Sequence, residues 1–528
     1  MNQPNIDEFL HEQNRNMEAL YKPVLLNHWM AATTGEKVWS EKHEVALNQY
    51  FENFSDTNTF QKVVSLKEDN TLSATEKRQI DDLYNKMITN QLDRNIRQQT
   101  LQLENEISQT FTTYRPMLKG EEVSNNDLLQ ILQKSKDDSE QKEAWLATKQ
   151  VGKKIEETLL KLVIKRNEDA RALGFSNFYE MSFKTQELDI DTVFRTFQEL
   201  VDLSDESYLK VKNEIDEERA EFCGIKVEDL RPWHYVDPFF QEAPPVSGLD
   251  LDTFYEGKDL EDIAKNTFET IGLDVEDILR NSDLYPRENK NPFGFCTNID
   301  RKGNIRILVN LNSSTYWATA LLHELGHAVY YKYIDKELPF ILRFQSHTIT
   351  TEAIALFFGR QTKMVEWQQR FLGLNEKQVS ELKPAMDKML TRQMVVAARW
   401  IITFAFFERE LYENPHQDLN KLWWDLVKKI QCMNPPEDTS HPDWASKMHF
   451  SLAPVSYQNY LLGELMASQL HHFIDKYVSN DLYHPKVGDY LKNEFFNSGA
   501  TLQSNEKIKS ATGEYLNPVY FVRQFLKG

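Results

Sequence analysis

Cysteine is nearly absent: three in 528 residues, Cys223, Cys296 and Cys432, far apart and without Cys-x-x-Cys spacing. That excludes both a disulfide framework and a thiolate metal site. Glycine and proline number only 18 each, about half the usual ~7% for glycine and well under the usual ~5% for proline. A chain so poor in breakers is expected to be mostly α-helical. Positive charge is also short, with 61 Lys and Arg against 81 Asp and Glu and a net charge of −20. This excludes the basic surface a nucleic-acid partner would need and serves solubility. No stretch approaches the ~18 consecutive apolar residues that span a membrane. The opening "MNQPNIDEFLHEQNRN" lacks the apolar centre of a signal peptide. The expectation is a cytoplasmic protein with neither a membrane nor a nucleic-acid partner.

What is present is helical periodicity. With 41% hydrophobic and 12% aromatic residues, the chain can bury a large interior. Apolar residues from Ile80 to Phe111 recur mostly every three to five positions, which predicts one long amphipathic helix over 76–111. Residues 151–177 predict another, with Gly174 as its stop. Pro-bearing loops stand around 237–250 and 432–444, but no repeat, linker or clean domain boundary is visible. One stretch breaks the pattern. In "FGFCTNIDRKGNIRILVNLN", Asp300-Arg301-Lys302-Gly303 reads as a turn, and Ile305, Ile307, Val309 and Leu311 follow at period two. This predicts a β-hairpin, whose free edge could pair with an extended peptide.

Directly after it comes "LLHELGHAVYYKYIDKELP", residues 321–339. On a helix His323 and His327 share a face and can reach one zinc ion. Glu324 projects about 100° away from His323, where a general base for the attacking water must stand. Gly326 is small enough to admit a neighbouring chain. By chance alone roughly 0.03 such motifs are expected in a chain of this composition, so the motif needs a context. A catalytic zinc requires a third protein ligand. Position 333 is Tyr333, not a histidine. Asp335 and Glu337 fall in the turn leaving the helix. Glu352, 25 residues after His327, opens a second apolar helix and is the favoured ligand, although an acid in a first turn also suits the helix dipole. His347 is a competing ligand, and His471 and His472 are read as structural.

These motifs resemble the zinc stretch of the peptidyl-dipeptidases related to angiotensin-converting enzyme. The shared residues are His-Glu-x-Gly-His-x-x-Tyr-Tyr, Leu338-Pro339, Leu342-Arg343 and Glu352-Ala353-Ile354. Thimet oligopeptidases and oligoendopeptidases are similar. The strongest likeness covers roughly 290–474. A second block, Lys447, His449, Tyr457 and Tyr460, resembles the family's Lys-x-His and Tyr-x-x-Tyr, with one residue more between His449 and Tyr457. The resemblance implies that His449 and Tyr460 bind substrate and the oxyanion, and that Lys447, Tyr457 and Gln241 hold a terminal carboxylate. The chain departs from the family in three places. Asn459 replaces an arginine used for chloride, Leu356 replaces an aspartate behind the zinc, and Phe293-Gly294-Phe295 replaces a substrate-lining His-Ala pair.

The fold expected is a single catalytic domain spanning 1–528, a mostly α two-lobed ellipsoid with a deep central channel and a small hairpin beside the zinc helix. The function expected is zinc-dependent hydrolysis of short oligopeptides. Metal ligands would be His323, His327 and Glu352, catalytic groups Glu324, His449 and Tyr460, and substrate contacts Lys447, Tyr457, Gln241, Gly294 and Phe295. Release of dipeptides from free C-termini is favoured. The alternatives are an endo-oligopeptidase and a silent peptide-binding zinc protein. The sequence leaves the oligomeric state open.

Overall fold

The computed structural model describes residues 6–526. It is 68% helical, with two small antiparallel sheets of two strands each, as the scarcity of glycine and proline led us to expect. The chain divides into two compact units, each gathered from separate stretches. The first holds the residues up to Gln91, then Gly248–Asp387 and Leu462–Tyr520. The second holds Leu92–Ser247, Lys388–Leu461 and the residues from Phe521 on.

In the first unit the helices Ile6–Thr34 and Lys37–Asn53 precede a core of Met17, Tyr21, Phe54, Val63, Ile80, Leu83, Met87 and Phe340–Leu342. Burying each such side chain contributes about 1.5–3 kcal/mol. The single helix expected over 76–111 is two helices, Ala74–Ile88 and Arg94–Thr113. The interruption is local and polar. Asn90 donates to the Lys86 carbonyl and Gln91 to those of Phe54 and Met87. Asp93 then caps a fresh start by accepting from the Asn95 N–H at 2.8 Å. Side chains that satisfy backbone groups in this way end a helix whatever the apolar period.

The expected hairpin is present. Strand Phe295–Asn298 pairs antiparallel with Ile305–Leu308, Phe295 opposite Leu308 and Asn298 opposite Ile305. Its turn uses positive φ at Arg301 and Gly303, and Asp300 accepts from the backbone of Lys302 and Asn304. The period-two residues Ile305, Ile307, Val309 and Leu311 are all buried.

In the second unit the 35-residue helix Asp138–Ala172 ends before Gly174, which adopts φ 91°, the expected stop. The helix Glu376–Glu413 enters from the first unit and runs on through the second. It is long and apolar enough to cross a membrane, but its most apolar window is 67% buried inside the protein. Its Arg392 and Arg399 are paired with Glu218 and Asp205, so it reads as a core helix. A second, two-residue-per-strand hairpin, Met117–Leu118 with Glu121–Glu122, was not expected. It is too short to display alternation, and its signals are the positive φ angles of Lys119 and Gly120.

Candidate metal centre and substrate-binding residues

The zinc helix, Thr315–Lys332, starts where Ser314 accepts from the Trp317 N–H. It is apolar on several faces, burying Ala318, Leu321, Leu322, Leu325, Ala328 and Val329. Such a helix must be enclosed by neighbours. The second apolar helix, Thr348–Gly359, packs against it at Gly326, where an added Cβ would lie 2.7 Å from the Ala355 Cα. Gly463 makes a like approach to Glu352, its ideal Cβ position 3.2 Å from the Glu352 Cβ. Small residues thus let backbones close on the ligand positions.

Among the described residues, His323, His327 and Glu352 are the one group of three or more such side chains arranged to hold a metal ion, their donor atoms all within 4.8 Å of one another. His323 Nε2 and His327 Nε2 each lie 3.7 Å from a Glu352 carboxylate oxygen. A tetrahedral zinc with ligands at about 2.0–2.2 Å sets them roughly 3.3–3.6 Å apart, so the arrangement fits with shifts of a few tenths of an ångström. The chemistry fits as well. Burial lowers His323 to about 4, and burial and the neighbouring His323 lower His327, so both imidazoles are neutral and offer lone pairs. Burial and the nearby Glu464 raise Glu352 to about 7. Burial and Glu352 raise Glu324 to about 8, against a hydrogen bond from the Cys296 backbone. Two carboxyl groups enclosed together want a cation.

His347 is not brought into this group. Its Nδ1 accepts from the Ile349 N–H at 3.0 Å and caps the second helix. Asp335 and Glu337 lie in the turn after the zinc helix, where Asp335 accepts from the Glu337 N–H. His327 presents its other nitrogen to Thr351, Nδ1 to Oγ1 2.8 Å, a partner that fixes which nitrogen faces a metal. Beyond Glu352, the buried Arg360 pairs with Glu464 at 3.1 Å. Neither Thr351 nor Arg360 stands out in the sequence. Gly294 sits beside the base, its ideal Cβ position 3.6 Å from Glu324 Oε1. The Phe295 ring packs against His28 and Trp29, which leaves its backbone as the part a peptide could meet.

The remaining candidates lie in the second unit and cluster there. Lys447 donates to Gln241 Oε1 at 2.6 Å and lies over the rings of Trp400, Tyr457 and Phe239. Burial lowers it to about 8, opposed by Asp237 and Glu242. Tyr457 accepts from Trp400 Nε1 at 2.9 Å, and its ring stands 4.9 Å from that of His449 and 5.4 Å from that of Tyr460. Burial and Lys447 lower His449 to about 4, so it is a neutral imidazole. Tyr460 is 48% exposed. The residue missed by the sequence reading is Asp237. Its buried carboxylate accepts from the backbone N–H groups of Phe239, Gln241 and Glu242 and so shapes the loop that carries Gln241 to Lys447. Asp followed by Pro at 237–238 was its only signal.

The model of Peptidase family M3 matches residues 276–526, the stretch with the zinc helix and the Lys447–Tyr460 block. The model named angiotensin-converting enzyme matches residues 1–212. The chain is related to two families of zinc metallopeptidase. Neither match spans half of the chain, and residues 213–275, with Gln241, lie outside both. No curated protein matches it. The two matches support zinc-dependent hydrolysis of peptides in general.

Proposed function

We propose that this metallopeptidase removes dipeptides from the free C-termini of short oligopeptides. The observation that carries this reading is the Lys447–Gln241–Tyr457 cluster, a half-buried cation ringed by aromatic faces and an amide. A carboxylate entering it gains a charge-assisted hydrogen bond away from bulk water. Zinc, when bound by His323, His327 and Glu352, supplies Lewis acidity toward water and the scissile carbonyl. Glu324 takes the proton of the attacking water and passes it to the leaving amine, held in place by the Cys296 backbone N–H. The family resemblance gives Tyr460 and the neutral His449 the role of donors to the oxyanion, and losing one such donor costs about 10²–10³ in rate. The backbone around Gly294 and Phe295 pairs with the extended peptide. The three free thiols support a reducing, cytoplasmic setting.

The test is product analysis by mass spectrometry on one unstructured decapeptide, offered with a free and with an amidated C-terminus. Dipeptides shed from the free form alone support the proposal. Equal internal cutting of both forms makes the enzyme an endo-oligopeptidase and leaves Lys447 without its assigned role.

A further inference from the structure

Between His449 and Tyr457 the chain makes a turn that a β-branched residue should not make. Val455 adopts φ 52° and is completely buried. Left-handed backbone at valine is an outlier that persists only when its surroundings hold it. Here three side chains do so. Glu408, buried on the helix Glu376–Glu413, accepts the Val455 N–H at 2.9 Å. Gln186 and Gln458 each donate to the Val455 carbonyl at 2.9 Å. Gln186 also accepts from the Asn459 side chain at 3.0 Å, tying the turn to the first residues of the tyrosine helix, Gln458–Phe473. Both backbone groups of one strained residue are therefore saturated by side chains, Glu408 and Gln458 buried and Gln186 partly so. The segment so fixed leads from His449 to Tyr457 and Tyr460, whose rings stand in sequence at 4.9 and 5.4 Å.

We infer that Glu408 and Gln186 are positioning residues, a clamp on Val455 that sets the angle at which Tyr460 and His449 are offered to the developing oxyanion. This rests on the oxyanion role proposed above for those two residues. A donor acting mainly in the transition state affects kcat more than KM, and misplacement by about 1 Å can cost about 10²-fold. Burial raises Glu408 to about 8, against the Val455 N–H and Arg166, and its Oε1 is the acceptor of the Val455 N–H. Glutamine reproduces that acceptor, whereas methionine of similar shape does not. Glycine adopts φ near +50° freely, so Val455→Gly removes the strain that the clamp offsets while leaving the backbone N–H that Glu408 accepts.

The experiment measures kcat and KM on an internally quenched oligopeptide, together with zinc content, for Glu408→Met, Glu408→Gln, Gln186→Met and the double variant Glu408→Met with Val455→Gly. Glu408→Met is expected to lower kcat at least tenfold with KM within about twofold and zinc content unchanged. Glu408→Gln stays within about threefold of the parent, and the added Val455→Gly recovers part of the loss. Should Glu408→Met not fold, Gln186→Met carries the test, with a several-fold loss of kcat expected. A folded Glu408→Met or Gln186→Met with the parent's kcat overturns the clamp. Tyr460→Phe, run alongside, separates the failures. If it is fully active, the oxyanion reading falls and the clamp with it. If it is inactive beside a fully active Glu408→Met, the clamp alone falls.

Discussion

On the function proposed above, Lys447 should make preference for a free C-terminus depend on pH, weakening as pH rises. Its ammonium is pushed down to about 8 by burial, with Asp237 and Glu242 acting the other way. Of the other groups near it, Tyr457 is raised to about 12 and His449 lowered to about 4, while a second buried lysine, Lys149, lowered to about 7 chiefly by burial, shares the Phe239 ring with Lys447 and interacts with it electrostatically. A carboxylate is gripped only by the protonated lysine. The apparent KM therefore scales inversely with the protonated fraction, changing by about 10% at pH 7 and rising about tenfold by pH 9. Sign matters here, because the group loses its charge as pH rises, so the grip weakens above pH 8 and is intact below it. An amidated peptide makes no such bond, and titration of Glu324 or the metal ligands affects both substrates alike. The measured quantity is thus the ratio of kcat/KM for the free peptide to that for its amide, from pH 6.5 to 9.5. It should fall about fivefold from pH 8 to pH 9, and Lys447→Met should flatten it while costing about 10–100-fold on the free form alone, as expected for a charged hydrogen bond of about 1.5–3 kcal/mol. A ratio that stays constant across that range in the parent protein refutes the assignment.

Glu324→Gln should keep its metal and lose turnover by at least about 10³, read by elemental analysis and single-turnover kinetics; full activity would remove the base from the mechanism. Glu352→Ala should weaken zinc retention against a chelator by more than tenfold, whereas His347→Ala should not, because His347 only caps a helix. Gly326→Ala forces a Cβ to within 2.7 Å of the Ala355 Cα. It should lower stability by about 1–3 kcal/mol, seen as a reduced thermal midpoint.

The grouping of His323, His327 and Glu352 was legible because these residues lie on two consecutive apolar helices and follow fixed geometry. An i, i+4 pair shares a face, and a carboxylate in the next helix can reach it. The hairpin was legible for the same kind of reason: strict alternation at Ile305, Ile307, Val309 and Leu311, ahead of which stood a Gly-bearing turn. Periodicity failed where polar side chains decide. It continued the apolar pattern from Met87 through Ile96, whereas Asn90, Gln91 and Asp93 spend their hydrogen bonds on ending one helix and starting the next. The division into units was illegible for a different reason. The chain changes unit inside the helices Glu376–Glu413 and Gln458–Phe473, and a helix crossing such a boundary keeps its period.

Motif spacing has a similar blind spot. The stretch from His449 to Tyr457 runs one residue longer than in the converting enzymes it resembles, and the structure contains within that stretch a buried valine at φ 52°. An added residue in a loop costs little in closure entropy, but here its neighbours on both sides have the roles proposed above, and on that reading the surplus is absorbed without rotating His449 or Tyr460. Folding it into a left-handed turn does this at a local penalty of about 1–2 kcal/mol, which the bonds from Glu408, Gln186 and Gln458 can offset. Of those three residues only Gln458 lies near Val455, three positions on, whereas Glu408 and Gln186 lie 47 and 269 positions away, beyond any spacing a motif would record. Asn459 is part of the same network through Gln186. A neutral amide contact thus stands at the position where the converting enzymes place a chloride-linked arginine, and activity here should be indifferent to chloride.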